Sequence, residues 1–226
     1  MRKIKSVSFG LLCLAIFLRA NFLLAAEKND DPRRFEEAIV AFETADKTNP
    51  PPHGAILFIG SSSIRRWTTL AQDFPEHKVI NRGFGGSHLG DSVFYADRIV
   101  IPYQPKLVVM YAGGNDINFG KTPDRVLSDF KAFVKKVRAA LPKTRITYIS
   151  IGISPSRWKD VEQVKAANKM IADYIKSDEK LAFIDFFPSV LGSDGKPKPD
   201  IFVSDKLHMN AKGYAILTEK VRPYLK

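Results

Sequence analysis

Five short apolar runs punctuate the chain: AILFIG (55–60), KVIN (78–81), KLVVMYA (106–112), TRITYISI (144–151) and LAFIDF (181–186). Each is apolar on both faces and rich in β-branched or aromatic residues, the pattern of a strand covered on both sides. Between them the apolar positions recur at helical spacing. The clearest case is TPDRVLSDFKAFVKKVRAAL (122–141). There Thr122 can cap, Pro123 fits the first turn, and Val126, Phe130, Phe133, Val134, Val137 and Leu141 form one stripe. Further helical patterns cover 32–48, 90–100 with Asp91 as N-cap, 161–177 and 210–225. Strands alternating with helices predict parallel pairing through right-handed crossovers, hence an α/β protein: a three-layer α/β/α sandwich with about five parallel strands. Ligands of such sheets bind beyond the carboxyl ends of the strands, so the loops GSSS, NRGFGGS, GGND, ISPSRW and SDKLH are where chemistry is expected.

Residues 1–26 break the alternation. A basic start, MRKIK, leads into the apolar SVSFGLLCLAIFL and then into NFLLAA. This order predicts an export signal cleaved near Ala26, with an uncleaved N-terminal membrane anchor as the alternative. The expected location is therefore outside the cytoplasm, periplasmic or secreted, with residues 27–226 as one domain. The single cysteine, Cys13, lies in this leader, preceded by Leu11 and Leu12 rather than the small residue that lipidation requires. The rest of the chain can form no disulfide, thiolate nucleophile or cysteine metal site. The net charge of +11 includes Arg2, Lys3, Lys5 and Arg19, so residues 27–226 carry +7. That excess favours weak attraction to anionic surfaces, but no nucleic-acid motif organises it and no nucleic-acid partner is expected.

The loops hold several candidate groups, each with an ordinary alternative. In GSSSIRRW a serine at a helix start has free N–H groups nearby and could act as a nucleophile, or the serines could simply cap the helix. The G-x-S-x-G elbow of one hydrolase class is absent, because position 64 is Ile. AGGND (112–116) brings Asn115 to a strand end, where it is either a turn residue or a cleft amide. NRGFGGSHLGD has four glycines in the eight residues 83–90, more than one turn needs. Their N–H groups could hold an anion or oxyanion. Asp205 and His208, three apart before the last helix, can orient an imidazole as a general base or be plain loop residues. The four histidines show no metal-ligand spacing, so no metal or organic cofactor is expected.

Taken in order, the strand-end serine, the glycine loop, the G-x-N-D loop and the late D-x-x-H resemble the SGNH hydrolases, the GDSL esterase/lipase family. The resemblance spans about residues 55–224. It implies a flavodoxin-like sandwich in which Ser62 is the nucleophile, from Gly60-Ser61-Ser62-Ser63 in place of G-D-S-[LI]. It also implies Gly86 as the oxyanion glycine of NRGFGG, Asn115 as the oxyanion amide, and Asp205 and His208 as orienting acid and base. The chain departs from the pattern at Ser61, Ser63 and Ser87. A literal G-D-S occurs at Gly90-Asp91-Ser92, but it follows no apolar strand.

The implied activity is hydrolysis of short-chain acyl esters through an acyl-enzyme, since no long lid or extended apolar loop is visible. The main alternative is removal of acetyl groups from a carbohydrate; a third is a non-catalytic glycan- or lipid-binding domain. The partners would be a small-molecule ester, an acetylated glycan or a lipid, with the oligomeric state open. Candidate substrate-binding residues are Phe84, Ile117, Trp158 and Leu207, with His88 and Met209 on the rim.

Overall fold

A strand that is apolar on both faces can bury both only between two helical layers, and that is where the five strands lie. The computed structural model describes residues 31–226. Strands β1 (Ile56–Gly60), β2 (Val79–Gly83), β3 (Leu107–Tyr111), β4 (Arg145–Ile149) and β5 (Leu181–Ile184) form one sheet. Its order is β2-β1-β3-β4-β5 and every pair is parallel. β1 is buried along its full length and β5, at the edge, only at its two ends. β2 runs beyond the apolar run into Gly83, which pairs with Gly60. Pairing there uses backbone groups and needs no apolar side chain.

Ala38–Lys226 form one compact unit, and the stretch up to Glu37 belongs to a separate one, where Asp31 caps a 3₁₀ turn over Pro32–Phe35. The helices are α1 (Glu36–Thr48), α2 (Ser62–Arg65), α3 (Leu70–Asp73), α4 (Leu89–Ile99), α5 (Gly114–Asn118), α6 (Pro123–Ala140), α7 (Val161–Ile175) and α8 (Ala211–Val221). Thr122 caps α6 by accepting from the Arg125 N–H at 3.3 Å. α4 differs from its expected cap: His88 is the N-cap, and Asp91, one turn in, accepts from the His88 N–H at 2.7 Å. Among the described residues no helix is long and apolar enough to cross a membrane; the expected leader lies outside them.

α6 packs between α4 and α7, and its stripe residue Phe130 meets Tyr148 of β4 edge-on at 4.8 Å. Elsewhere in the core Phe58 of β1 sits in a ring cluster with Trp67 (5.6 Å) and Phe74 (5.8 Å), and Tyr214 of α8 closes over Trp67 at 5.7 Å. All three inner rings are buried, so truncating one to Ala costs about 3–5 kcal/mol. Arg82 of β2 is also buried. Asp46 of α1 takes its guanidinium at 2.6 and 2.8 Å, between the rings of Phe42 and Tyr103. A buried charge is tolerated when paired in this way, and the pair ties α1 to the sheet.

Candidate active site

In the order 2-1-3-4-5 the chain leaves β1 to one side and β3 to the other, so the loops after these neighbouring strands part and open a crevice. Ser62 begins α2 just past β1, and Asn115 lies in α5 just past β3. The strand ends are close: a Cβ on Gly60 would lie 2.0 Å from the Tyr111 carbonyl oxygen. No other residue fits there without moving β3. The third contribution comes from far along the chain, in the turn before α8.

Ser62 Oγ lies 3.0 Å from His208 Nε2, and His208 Nδ1 lies 2.6 Å from Asp205 Oδ2. With Nδ1–H donating to Asp205, Nε2 is left to accept from the serine hydroxyl. The turn is built for this. Lys206 adopts the left-handed region (φ 55°), which folds Asp205 back so that its Oδ1 accepts from the N–H groups of Leu207 (2.8 Å) and His208 (2.9 Å). These bonds, the one to the imidazole foremost, hold the Asp205 carboxyl well below the usual carboxylate range. An antiparallel bridge between Phe202 and Met209 closes the base of the turn. Neither Ser61 nor Ser63 shares the imidazole: Ser61 starts the helix through its backbone carbonyl, and Ser63 accepts the Tyr214 hydroxyl proton on its own carbonyl at 2.8 Å. Ser92 of the literal G-D-S string is fully buried inside α4.

Asn115 is held at both ends of its amide. Nδ2 donates to the Ser87 carbonyl at 3.0 Å, and Oδ1 accepts from Arg157 at 2.8 Å. Its neighbour Asp116 is fully buried, accepts from the Leu89 N–H at 3.1 Å and faces Lys121 at 3.5 Å. Burial pushes the Asp116 carboxyl up to about 6 against the pull of Lys121 and of the Leu89 N–H. This contact pins the loop after β2 to the loop after β3. Gly86 sits on the former, exposed, with φ 87°, beside Ser87. Ser87 is tied to β1 through a 3.4 Å bond from its hydroxyl to the Gly60 carbonyl.

A cavity of about 70 Å³ opens beside Ser62 and His208. Asn115 and Leu207 line it, as does the expected rim residue Met209. Phe84, Ile117 and Trp158 do not; Gly86 is not part of its wall either, and stands one residue before Ser87, whose carbonyl the Asn115 amide holds. Phe84 is buried in the core, edge-on to Tyr95 at 6.2 Å. Ile117 points inward from α5, only 4% exposed. Trp158 follows Arg157 on the 3₁₀ turn Pro155–Asp160, of which Arg157 and Asp160 line the cavity. His88, expected on the rim, is a buried cap whose ring lies tilted against Phe119 at 5.2 Å. The wall that sequence reasoning missed includes Tyr111, Ile153, Arg157, Phe186 and Phe202. Tyr111 and Ile153 lie at or just past strand ends, which was a usable signal. Phe202 comes in only through its bridge to Met209. Among the described residues no three His, Cys, Asp or Glu side chains cluster as a metal site would require.

A family model for GDSL-like lipases and acylhydrolases matches residues 55–216, from the first strand into the last helix. The chain belongs to this family. No curated protein matches it. Among solved structures, a Streptococcus pneumonia protein provisionally named a platelet activating factor is similar at TM-score 0.75 and 21% identity, covering 95% of this chain and 99% of its own. A GDSL-like lipase from Bacteroides thetaiotaomicron superimposes at 0.70 with 20% identity over 86% and 97% of the two chains. A carbohydrate esterase family 3 protein from Talaromyces cellulolyticus does so at 0.61 with 16% identity over 75% and 95%. At these identities the likenesses speak for the shared α/β fold.

Proposed function

We propose that this GDSL-family hydrolase cleaves short-chain acyl esters with Ser62 as nucleophile. The observation that carries the reading is the unbroken chain from Ser62 Oγ through His208 to Asp205 at 3.0 and 2.6 Å, on the edge of a cavity. Ser62 Oγ attacks the acyl carbonyl carbon while His208 Nε2 takes its proton, and Asp205 holds the imidazole tautomer and stabilises the imidazolium. The carbonyl oxygen, now anionic, is met by the N–H groups of Ser62 and Gly86 and by the Asn115 amide. His208 then returns the proton to the departing alkoxide, leaving an acyl-enzyme and a free alcohol. Water, deprotonated by the same imidazole, attacks the acyl carbon; the acid leaves and Ser62 regains its proton.

The cavity size points to small acyl groups. An engineered cavity of about 150 Å³ accommodates benzene, and the one beside Ser62 is about 70 Å³. The test is hydrolysis of p-nitrophenyl esters from acetate to long chains, with acetate release from acetylated glycans in parallel. The expected result is hydrolysis that is strongest on the shortest esters and falls at least about 1,000-fold in Ser62→Ala. Acetate release from glycans alone would move the reading to carbohydrate deacetylation by the same groups. Activity that survives Ser62→Ala would overturn the serine mechanism.

A further inference from the structure

Arg157 stands in an unusual place for a cation. It lies on the cavity wall, and its guanidinium donates to a neutral acceptor, Asn115 Oδ1, at 2.8 Å. Among the described residues it has no carboxylate at ion-pair distance. Asp160 attracts it from further off and is itself engaged by the Asn118 amide at 2.8 Å. Burial therefore lowers its pKa from the ordinary arginine value. Arg157 is half-buried, and partly desolvating a guanidinium costs free energy that one bond to a neutral amide repays poorly as packing alone.

The arrangement makes sense through what it does to Asn115. A side-chain amide offers two N–H donors and one oxygen with two lone pairs. Here Ser87 O takes one N–H and Arg157 takes the oxygen. Flipping the amide would set oxygen against the Ser87 carbonyl and NH₂ against the guanidinium, so the two partners together fix which way the amide faces. The second N–H is then held in one direction within the amide plane. A cation on the oxygen also draws electron density from the nitrogen and makes that N–H a stronger donor. The same turn is anchored to the His208 turn, because the Ser156 N–H donates to the Lys206 carbonyl at 3.1 Å.

We propose that Arg157 is a positioning residue that orients and polarises the Asn115 amide toward the oxyanion formed at Ser62. The proposal rests on the ester-hydrolase reading. It assigns Arg157 no contact with the substrate: its effect passes through Asn115.

The experiment is a double-mutant cycle on p-nitrophenyl acetate, using Arg157→Met, Arg157→Lys, Asn115→Ala and the combinations, each checked for folding by thermal melt. Arg157→Met is expected to lower kcat by about 10- to 100-fold, a fraction of the 10²–10³ lost when an oxyanion donor is removed outright. KM should move less than about threefold. Arg157→Lys, which keeps the charge, should recover most of the loss. In the Asn115→Ala background Arg157→Met should cost less than about threefold more, because the group it acts through is gone. An undiminished loss in that background, or a loss confined to KM, would overturn the proposal and place Arg157 on the substrate. If Arg157→Met does not fold, the same coupling is read from Arg157→Ala, which also removes the guanidinium. Failure of the parent reading looks different: wild-type hydrolysis would then be indifferent to Ser62→Ala.

Discussion

Two aspartates of this molecule face opposite environments and carry opposite shifts. Asp116, in the loop after β3, is fully buried, and its carboxyl is pushed up to about 6 mainly by burial. Asp205, in the turn before α8, is 42% exposed at its side chain and is held well below the usual range by three hydrogen bonds from residues two and three ahead. The buried one joins two loops and touches no candidate reacting group. The exposed one orients the imidazole. Depth in the fold thus goes with structure and a solvent-facing turn goes with chemistry. A carboxylate at the surface loses little of its hydration, and hydrogen bonds from its own turn hold it in place of packing.

The largest effect that can break this comparison is on catalysis at Asp205. In Asp205→Asn the side-chain oxygen can still accept from the Leu207 and His208 N–H groups, so the turn should persist. The amide NH₂, however, would face His208 Nδ1 and favour the tautomer with the proton on Nε2, which cannot accept from Ser62. We expect kcat to fall about 10⁴-fold, with only a modest fall in melting temperature at neutral pH, because the residue is exposed and its hydrogen bonds are screened by solvent. A loss below about tenfold would mean that the turn serves only to cap the chain before α8.

The next effect is on stability, where between pH 4 and 7 the drift should belong to Asp116. Its folded-state pKa lies above the unfolded value near 3.8, so the folded protein holds this proton more tightly. The resulting stabilisation is fully present below the unfolded pKa and is lost as pH rises through about 6. Asp205 has the reverse sign: its contribution is present above the unfolded pKa and disappears as pH falls through the depressed folded one. Urea unfolding of wild type minus Asp116→Asn should therefore drift by up to about 3 kcal/mol between pH 4 and 7, levelling above the folded pKa. Wild type minus Asp205→Asn should instead change only at more acidic pH. Coincident pH profiles for the two variants would dissolve the contrast.

The same contrast separates what the sequence makes readable from what it hides. Strands buried on both faces leave unbroken apolar runs, so all five were visible as runs, and the order of linking segments implied a parallel sheet. The ends were less so: β2 continues past Asn81 through Arg82 and Gly83, and β5 stops at Ile184 although the apolar run reaches Phe186. At the candidate site, Ser62, Asp205, His208 and Asn115 stand on loops whose place after a strand or before a helix could be read from the chain. The walls could not, because a residue next to a site residue in sequence points elsewhere in space. Phe84, in the glycine loop, and Ile117, two residues past Asn115, face the core. Arg157 and Asn115 meet across 42 residues, and no local pattern encodes such a contact.

The smallest effect is the sharpest check on this account of the walls. Trp158 and Arg157 are adjacent on one 3₁₀ turn, yet only Arg157 lines the cavity. Trp158 is half-buried, so its truncation removes packing and leaves the Asn115 bond in place. Trp158→Ala should lower the melting temperature while kcat/KM on p-nitrophenyl acetate stays within about threefold of wild type, a free-energy change of about 0.6 kcal/mol. Chain-length preference should be unchanged as well, since no atom of the cavity wall is lost. A tenfold fall in kcat/KM, or a shift toward longer esters, would return Trp158 to the substrate and show that the cavity extends past Arg157 when an ester is bound.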